Sequence, residues 1–248
     1  MTRIILYLSF ACYWAWALPD KKDIKIFLAG DSTMSIKDTS AYPEHGWGMP
    51  FVYFWDQSVS VVNKARNGRS TRTFIEEGLW KSIMDGAGAG DFVFIQFGHN
   101  DEVMEKKSYT TPDSFAANLK RFVVETRSKH ATPVLLTPVA RRKFDEFGKP
   151  VDTHQAYAEI VRNVAMEMKV SFIDLNALSL QLYADLGEDK SKMLFVQLEP
   201  GEHPNYPSGK IDNTHFNEYG ARLVAQLVLA EIKTKLPELA VRINKPKK

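Results

Sequence analysis

Residues 24–32 read Ile-Lys-Ile-Phe-Leu-Ala-Gly-Asp-Ser. An almost unbroken apolar run that stops at glycine and a polar pair reads as a strand covered on both faces, ending in a turn. The pattern returns at Val59–Asn63, Asp91–Phe97, Thr132–Pro138 and Ser171–Leu175. Helical patterns lie between these runs, at Thr73–Asp85, Pro112–Lys129 and Asp152–Met168. In the second of them Phe115, Leu119, Phe122 and Val123 recur at a helical period. Asn217 can cap a last helix whose Leu223, Val224, Leu227, Val228 and Ile232 form one stripe. Strand and helix alternating throughout predict a doubly wound parallel sheet. Its common strand order, 2-1-3-4-5, would make the first three strands neighbours.

The chain has 248 residues, 44% of them hydrophobic. That is enough for one sizeable core and fits a single α/β domain over residues 18–248. A net charge of +2 excludes a nucleic-acid binder held by bulk electrostatics. Gly86–Gly90 is glycine-rich, but it precedes a strand and lacks the dinucleotide-loop spacing, so it reads as a turn.

The N-terminus reads separately. Arg3 is followed by an uncharged, mostly apolar run, Ile4 to Trp16, and by Ala15-Trp16-Ala17 at signal-peptidase spacing. This predicts a secretory leader over residues 1–17, and a secreted or periplasmic mature chain. The other reading, an uncleaved anchor, has a run short of the roughly 20 apolar residues a span needs. Cys12, the only cysteine, lies inside the leader in a poor lipid-attachment context, so lipidation there is a minor alternative. Once the leader is removed, no thiol remains and no disulfide is expected. A monomer with no membrane contact is expected.

In such a sheet, ligands bind at the carboxyl ends of the strands. Strand one delivers Gly30-Asp31-Ser32-Thr33, strand two leads into Arg66-Asn67-Gly68-Arg69-Ser70, and strand three ends in Gly98-His99-Asn100-Asp101. Ser32 would stand at their centre. A serine needs a base to act as a nucleophile, and the base needs an acid to hold it in one tautomer. Asp212 and His215, three residues apart in a turn before the last helix, offer both. The N–H groups of Ser32 and Gly68 and the amide of Asn100 offer donors for an oxyanion. Each element alone has a plain reading as a turn, a cap or a loop hydrogen bond. Together they make a complete acyl-transfer set.

These blocks resemble those of the SGNH (GDSL-like) hydrolases. Gly30-Asp31-Ser32-Thr33, Gly46-Trp47-Gly48, Arg66 to Ser70 and Phe97 to Asp101 are in the style of the rhamnogalacturonan acetylesterases within that superfamily. The resemblance covers residues 24 to 235. It implies a three-layer α/β/α, flavodoxin-like fold with a five-stranded parallel sheet. It also implies a triad of Ser32, His215 and Asp212, an oxyanion hole of Ser32, Gly68 and Asn100, and no metal or other cofactor. The six histidines show no zinc-type spacing. The reaction implied is two-step removal of O-acetyl groups from a plant cell-wall polysaccharide, most of all the rhamnogalacturonan backbone of pectin. Activity should rise through about pH 6 to 7, as neutral imidazole appears.

Basic residues cluster after strand two (Lys64, Arg66, Arg69, Arg72) and after strand four (Arg141, Arg142, Lys143). Basic loops on the active face suit an acetylated anionic polymer, with Arg69 and Arg141 as candidate contacts. The loop 197–211, with His203 and Tyr206, could line a sugar groove. Rival readings are an acetylxylan esterase, a broad GDSL-type esterase or lipase, a silent carbohydrate-binding protein and a flavodoxin-like nucleotide binder. The last lacks a glycine-rich phosphate loop after strand one.

Overall fold

Residues 22–244 are described by a computed structural model. The expected leader, with Cys12, lies outside them. In chain order the elements are β1 (Ile24–Gly30), α1 (Gly48–Phe51), β2 (Val59–Asn63), α2 (Thr71–Glu76), α3 (Leu79–Gly86), β3 (Phe92–Gln96), α4 (Pro112–Ser128), β4 (Thr132–Leu136), α5 (Gln155–Glu167), β5 (Ser171–Ile173), α6 (Leu175–Ser191), β6 (Phe195–Leu198), β7 (Lys210–Phe216), α7 (Glu218–Lys235) and α8 (Pro237–Ala240).

Five strands form one parallel sheet in the order β2-β1-β3-β4-β5, as the sequence predicts. The apolar runs are continuous because each strand serves two cores. Ile24, Ile26 and Leu28 of β1, with Phe92 and Phe94 of β3, join a cluster with α1, α7 and α8. Phe27, Ala29, Val93 and Ile95 point the other way, into a cluster with α3, α4 and α5. A sheet between two helical layers is the three-layer α/β/α architecture.

The expected helix Thr73–Asp85 is two helices. Gly78 adopts φ +73° between them, a conformation that ends a right-handed helix. Helix α2 begins with a capping box, Ser70 accepting from the Thr73 N–H while the Thr73 hydroxyl accepts from the Ser70 N–H. Asn217 caps α7 as expected, accepting from the Gly220 N–H at 3.0 Å. Helix α6 replaces the end of the expected fifth strand and was not anticipated, nor was the antiparallel pair β6–β7.

That pair corrects the reading of Asp212 and His215 as a simple turn before the last helix. They lie in β7, at an irregularity. Phe195 faces Phe216 and Gln197 faces Ile211, so Val196 alone stands opposite Asp212, Asn213, Thr214 and His215. The strand pairing pins both ends of this bulge, and bulges re-aim side chains. Among the described residues no helix is long and apolar enough to cross a membrane.

Candidate active site

The site is built from turns fixed on strand ends. After β1, Asp31 Oδ1 accepts from the Thr33 N–H at 2.9 Å and the Thr33 hydroxyl at 2.8 Å. The backbone carbonyl of Asp31 accepts from the N–H groups of Met34 and Ser35. Ser32 therefore sits in a closed turn. A buried chain supports it, with the Trp47 indole donating to Gln96 Oε1 at 2.8 Å and Gln96 Nε2 donating to the Thr33 hydroxyl at 2.7 Å. Gly46 is needed here for space, since a Cβ would meet Ser35 O at 2.1 Å.

In the bulge, Asp212 Oδ1 accepts from the N–H groups of Thr214 and His215, each at 2.8 Å. Its other oxygen lies 2.8 Å from His215 Nδ1, and His215 Nε2 lies 2.9 Å from Ser32 Oγ. Burial would raise the Asp212 carboxyl. The imidazole and the backbone donors outweigh that and hold it well below the ordinary carboxylate range. An ionised Asp212 makes Nδ1 the donor, leaving Nε2 to accept the Ser32 proton.

Arg142 locks the bulge to its neighbours. Its N–H donates to Asn213 O at 2.8 Å. Its guanidinium is buried and donates to Asn213 Oδ1 at 3.0 Å, Ser191 Oγ at 2.9 Å and the Glu188 carbonyl.

Opposite His215, the N–H groups of Ser32 and Gly68 donate to no protein acceptor among the described residues. Gly68 has φ +76°, and a Cβ there would touch nothing, so the backbone conformation calls for glycine. Asn100 Nδ2 donates to Arg69 O at 3.1 Å, which orients the amide and leaves one N–H over. Ser32, Gly68, Asn100 and His215 line one cleft of about 340 Å³ with Glu44, Asn67, His99, Lys106, Arg141 and Thr214.

The three expected substrate contacts are placed differently. Arg141 lines the cleft, and its guanidinium donates to Thr214 Oγ1 at 3.0 Å, His99 O at 3.3 Å and Glu102 at 3.4 Å. Arg69 is not in the cleft wall. Its side chain is taken by Glu77 at 2.9 Å and Asn67 O at 2.8 Å. His203 is not there either. It caps its own loop, accepting from the Asn205 N–H at 3.2 Å beside the Tyr206 ring. Arg72 is paired with Glu76, and Arg142 is structural.

Several groups at the site were not foreseen. Glu44, on the cleft wall, is 7% exposed and takes Lys210, Lys37 at 3.6 Å and the Tyr206 hydroxyl at 3.1 Å. Burial would raise its carboxyl, but Lys210, His215 and Lys37 hold it below the ordinary value. Glu44, Asp212 and His215 present donor atoms within 4.8 Å of one another. The Lys210 ammonium stands against both carboxylates, 3.4 Å from Asp212, so a cation is already in place there. Beneath the cleft, His99 is buried 3.4 Å from Asp31 and against His154. Burial and the neighbouring His154 push it down to about 4, so it is neutral at neutral pH. Glu44 could be found from sequence only by knowing that residues 37, 44 and 210 meet.

A hydroxyl, an imidazole and a carboxylate in file, at the carboxyl edge of a parallel sheet and facing free amide donors, define the framework of an SGNH-type hydrolase. The chain belongs to the GDSL-like lipase/acylhydrolase family, whose model matches residues 28–223. It is 44% identical to a rhamnogalacturonan acetylesterase of Bacillus subtilis (strain 168) over 209 residues, which are 84% of this chain and 89% of that one. It is 28% identical to a rhamnogalacturonan acetylesterase of Emericella nidulans, over 87% of each chain. A solved Bacillus subtilis structure superposes with a TM-score of 0.73 at 26% identity, covering 86% of this chain and 56% of that one. An acetylxylan esterase of Geobacillus stearothermophilus superposes with a TM-score of 0.56 at 19% identity, over 84% of this chain and 93% of that one, and shows the fold alone.

Proposed function

We propose that the protein is a serine esterase that removes acetyl groups from the rhamnogalacturonan backbone of pectin. The observation that carries the reaction is the file of Asp212, His215 and Ser32 at 2.8 and 2.9 Å, opening on the unpaired amides of Ser32 and Gly68. The similarity to rhamnogalacturonan acetylesterases supports the substrate.

Ser32 Oγ attacks the acetyl carbonyl carbon as His215 Nε2 takes its proton. Charge develops on the carbonyl oxygen, and the N–H groups of Ser32 and Gly68 with the Asn100 amide stabilise it. The intermediate collapses, the C–O bond to the sugar breaks, and His215 returns the proton to the leaving sugar oxygen. Water then attacks the acetyl-serine, giving its proton to His215. Acetate leaves, and the proton returns to Ser32. Asp212 stays ionised and stabilises the imidazolium that forms twice. Lys106 and Arg141 on the cleft wall offer positive charge to a uronate next to the ester. The reading includes export of the mature chain, supported by the sequence of residues 1–17.

The test is acetate release by residues 18–248 from acetylated rhamnogalacturonan and acetylated xylan, beside Ser32→Ala. Release from the pectin that the mutant abolishes is expected. Release from xylan alone would move the substrate. No release from either polymer or from small acetyl esters would refute the esterase.

A further inference from the structure

The cleft does not end at Asn67. That residue also lines a second hollow, of about 490 Å³, with Ile36, Asp38, Arg66 and Arg69. Ile36 in turn lines a third, of about 360 Å³, with Tyr42, Tyr53 and Arg222. Asn67 is common to the first two walls and Ile36 to the second and third, so the three concavities adjoin one another in a row that starts at Ser32 and are, taken together, one path.

The path is chemically suited to a sugar chain of mixed charge. The Arg66 N–H donates to Gly30 O at 3.0 Å, which fixes this residue beside the turn that carries Ser32. Its side chain is exposed and has no carboxylate or carbonyl partner among the described residues, unlike Arg69, Arg72, Arg141 and Arg142. An uncommitted guanidinium carried on backbone held beside the nucleophile's turn is a ready receptor for a planar carboxylate. Asp38, also exposed and without an ion pair among the described residues, can accept from neutral sugar hydroxyls in the same hollow. At the far end Ile36 is 62% exposed and Tyr53 72% exposed. A water-exposed aromatic ring in a hollow offers a flat face for the C–H side of a pyranose.

We propose that this path holds the polysaccharide flanking the acetylated residue, with Arg66 recognising a uronate carboxylate and Tyr53 supporting a more distant sugar ring. The proposal rests on the esterase reading for its substrate, and is tested separately from it. The first measurement is calorimetric binding of deacetylated rhamnogalacturonan oligosaccharides to Ser32→Ala, to Ser32→Ala with Arg66→Ala, and to Ser32→Ala with Arg66→Lys. The Arg66→Ala change is expected to weaken binding about tenfold, as for loss of one charge-assisted bidentate contact, and Arg66→Lys to recover part of it. The second is the ratio of kcat/KM on acetylated rhamnogalacturonan to kcat/KM on p-nitrophenyl acetate. Arg66→Ala should lower the ratio about tenfold, chiefly through KM. Tyr53→Ala should lower it for long oligosaccharides and spare short ones. Unchanged binding and an unchanged ratio in both variants would overturn the path while leaving the esterase intact. Arg66-dependent binding by a chain that releases no acetate would support the path and refute the reaction.

Discussion

Glu44→Gln should change how the base works without touching the triad. The side chain keeps its shape and loses its charge. Glu44, Asp212 and His215 place donor atoms within 4.8 Å of one another. Unit charges at that distance interact by ~3.5 kcal/mol at an effective dielectric of ~20 and by ~0.9 kcal/mol in water. Lys37 and Lys210 already offset part of the Glu44 charge, which favours the lower figure. A second contribution has the same sign. Lys210, released from Glu44, moves onto Asp212, now 3.4 Å away, and draws its charge from His215. Loss of negative charge beside an imidazole favours the neutral form. The acid limb of kcat/KM on p-nitrophenyl acetate therefore moves to lower pH. The plateau falls several-fold, because the base is weaker. Lys210→Met removes the opposing charge and should move the limb the other way. An acid limb that stays put in Glu44→Gln, or the same direction of shift in both folded variants, would refute the electrostatic reasoning.

Asp101 gives a stability prediction. It is fully buried and accepts from the Thr71 N–H at 2.9 Å and hydroxyl at 2.7 Å. Burial pushes its carboxyl up from 3.8 to about 7, against the pull of the Thr71 bonds. A raised carboxyl contributes stability that is full below the ordinary value and lost as pH rises through about 7. The loss is at most ~4 kcal/mol. Asp101→Asn keeps the acceptor for Thr71 and cannot ionise. Urea melts should show its stability relative to the parent improving from about pH 5 to about pH 8, and a constant difference would contradict the burial argument. Arg142→Ala should cost ~2–4 kcal/mol in the same melts, because the buried Ser191 hydroxyl and the part-buried acceptors at Asn213 and Glu188 lose their donor. It should also lower kcat/KM by at least about tenfold, as the catalytic bulge loosens. Full activity in a destabilised Arg142→Ala would show that the bulge holds its shape without the anchor.

The sheet was legible because its strands serve two cores. A strand with one wet face alternates, whereas Ile24 to Gly30 sends alternate residues into two separate apolar clusters and so reads as a continuous run. The reactive residues were legible because they sit at strand ends in chain order, where composition changes abruptly from apolar to Gly-Asp-Ser or Gly-His-Asn. The bulge was not. Asp212 to His215 contain turn-forming residues, and only the pairing of the flanking Ile211 and Phe216 with Gln197 and Phe195 shows that a strand runs through them. Charge bookkeeping was equally hidden. Arg66 and Arg69 look alike in sequence, yet Glu77, at the far end of α2 from the cap at Ser70, takes only Arg69. The nearest neighbours of Glu44 include Lys210, separated from it by 166 positions.

The unforeseen residues divide the labour of the site. Trp47, Gln96 and Thr33 all pass hydrogen bonds in one direction, toward Asp31. The Thr33 donors favour an ionised Asp31, and the desolvated, neutral His99 stands 3.4 Å from it. On the other side Asp212 is supplied by two backbone N–H groups and one imidazole. The two aspartates are thus both anionic but are committed to different tasks. Asp31 spends its charge on closing the turn that presents the Ser32 hydroxyl, and Asp212 spends its charge on the ring that accepts the proton. Because Asp31 Oδ1 and both oxygens of Asp212 are held by separate donors, neither carboxylate competes for the other's partner. The serine and the histidine, which reach the cleft from opposite ends of the chain, meet at 2.9 Å with no covalent link between their loops.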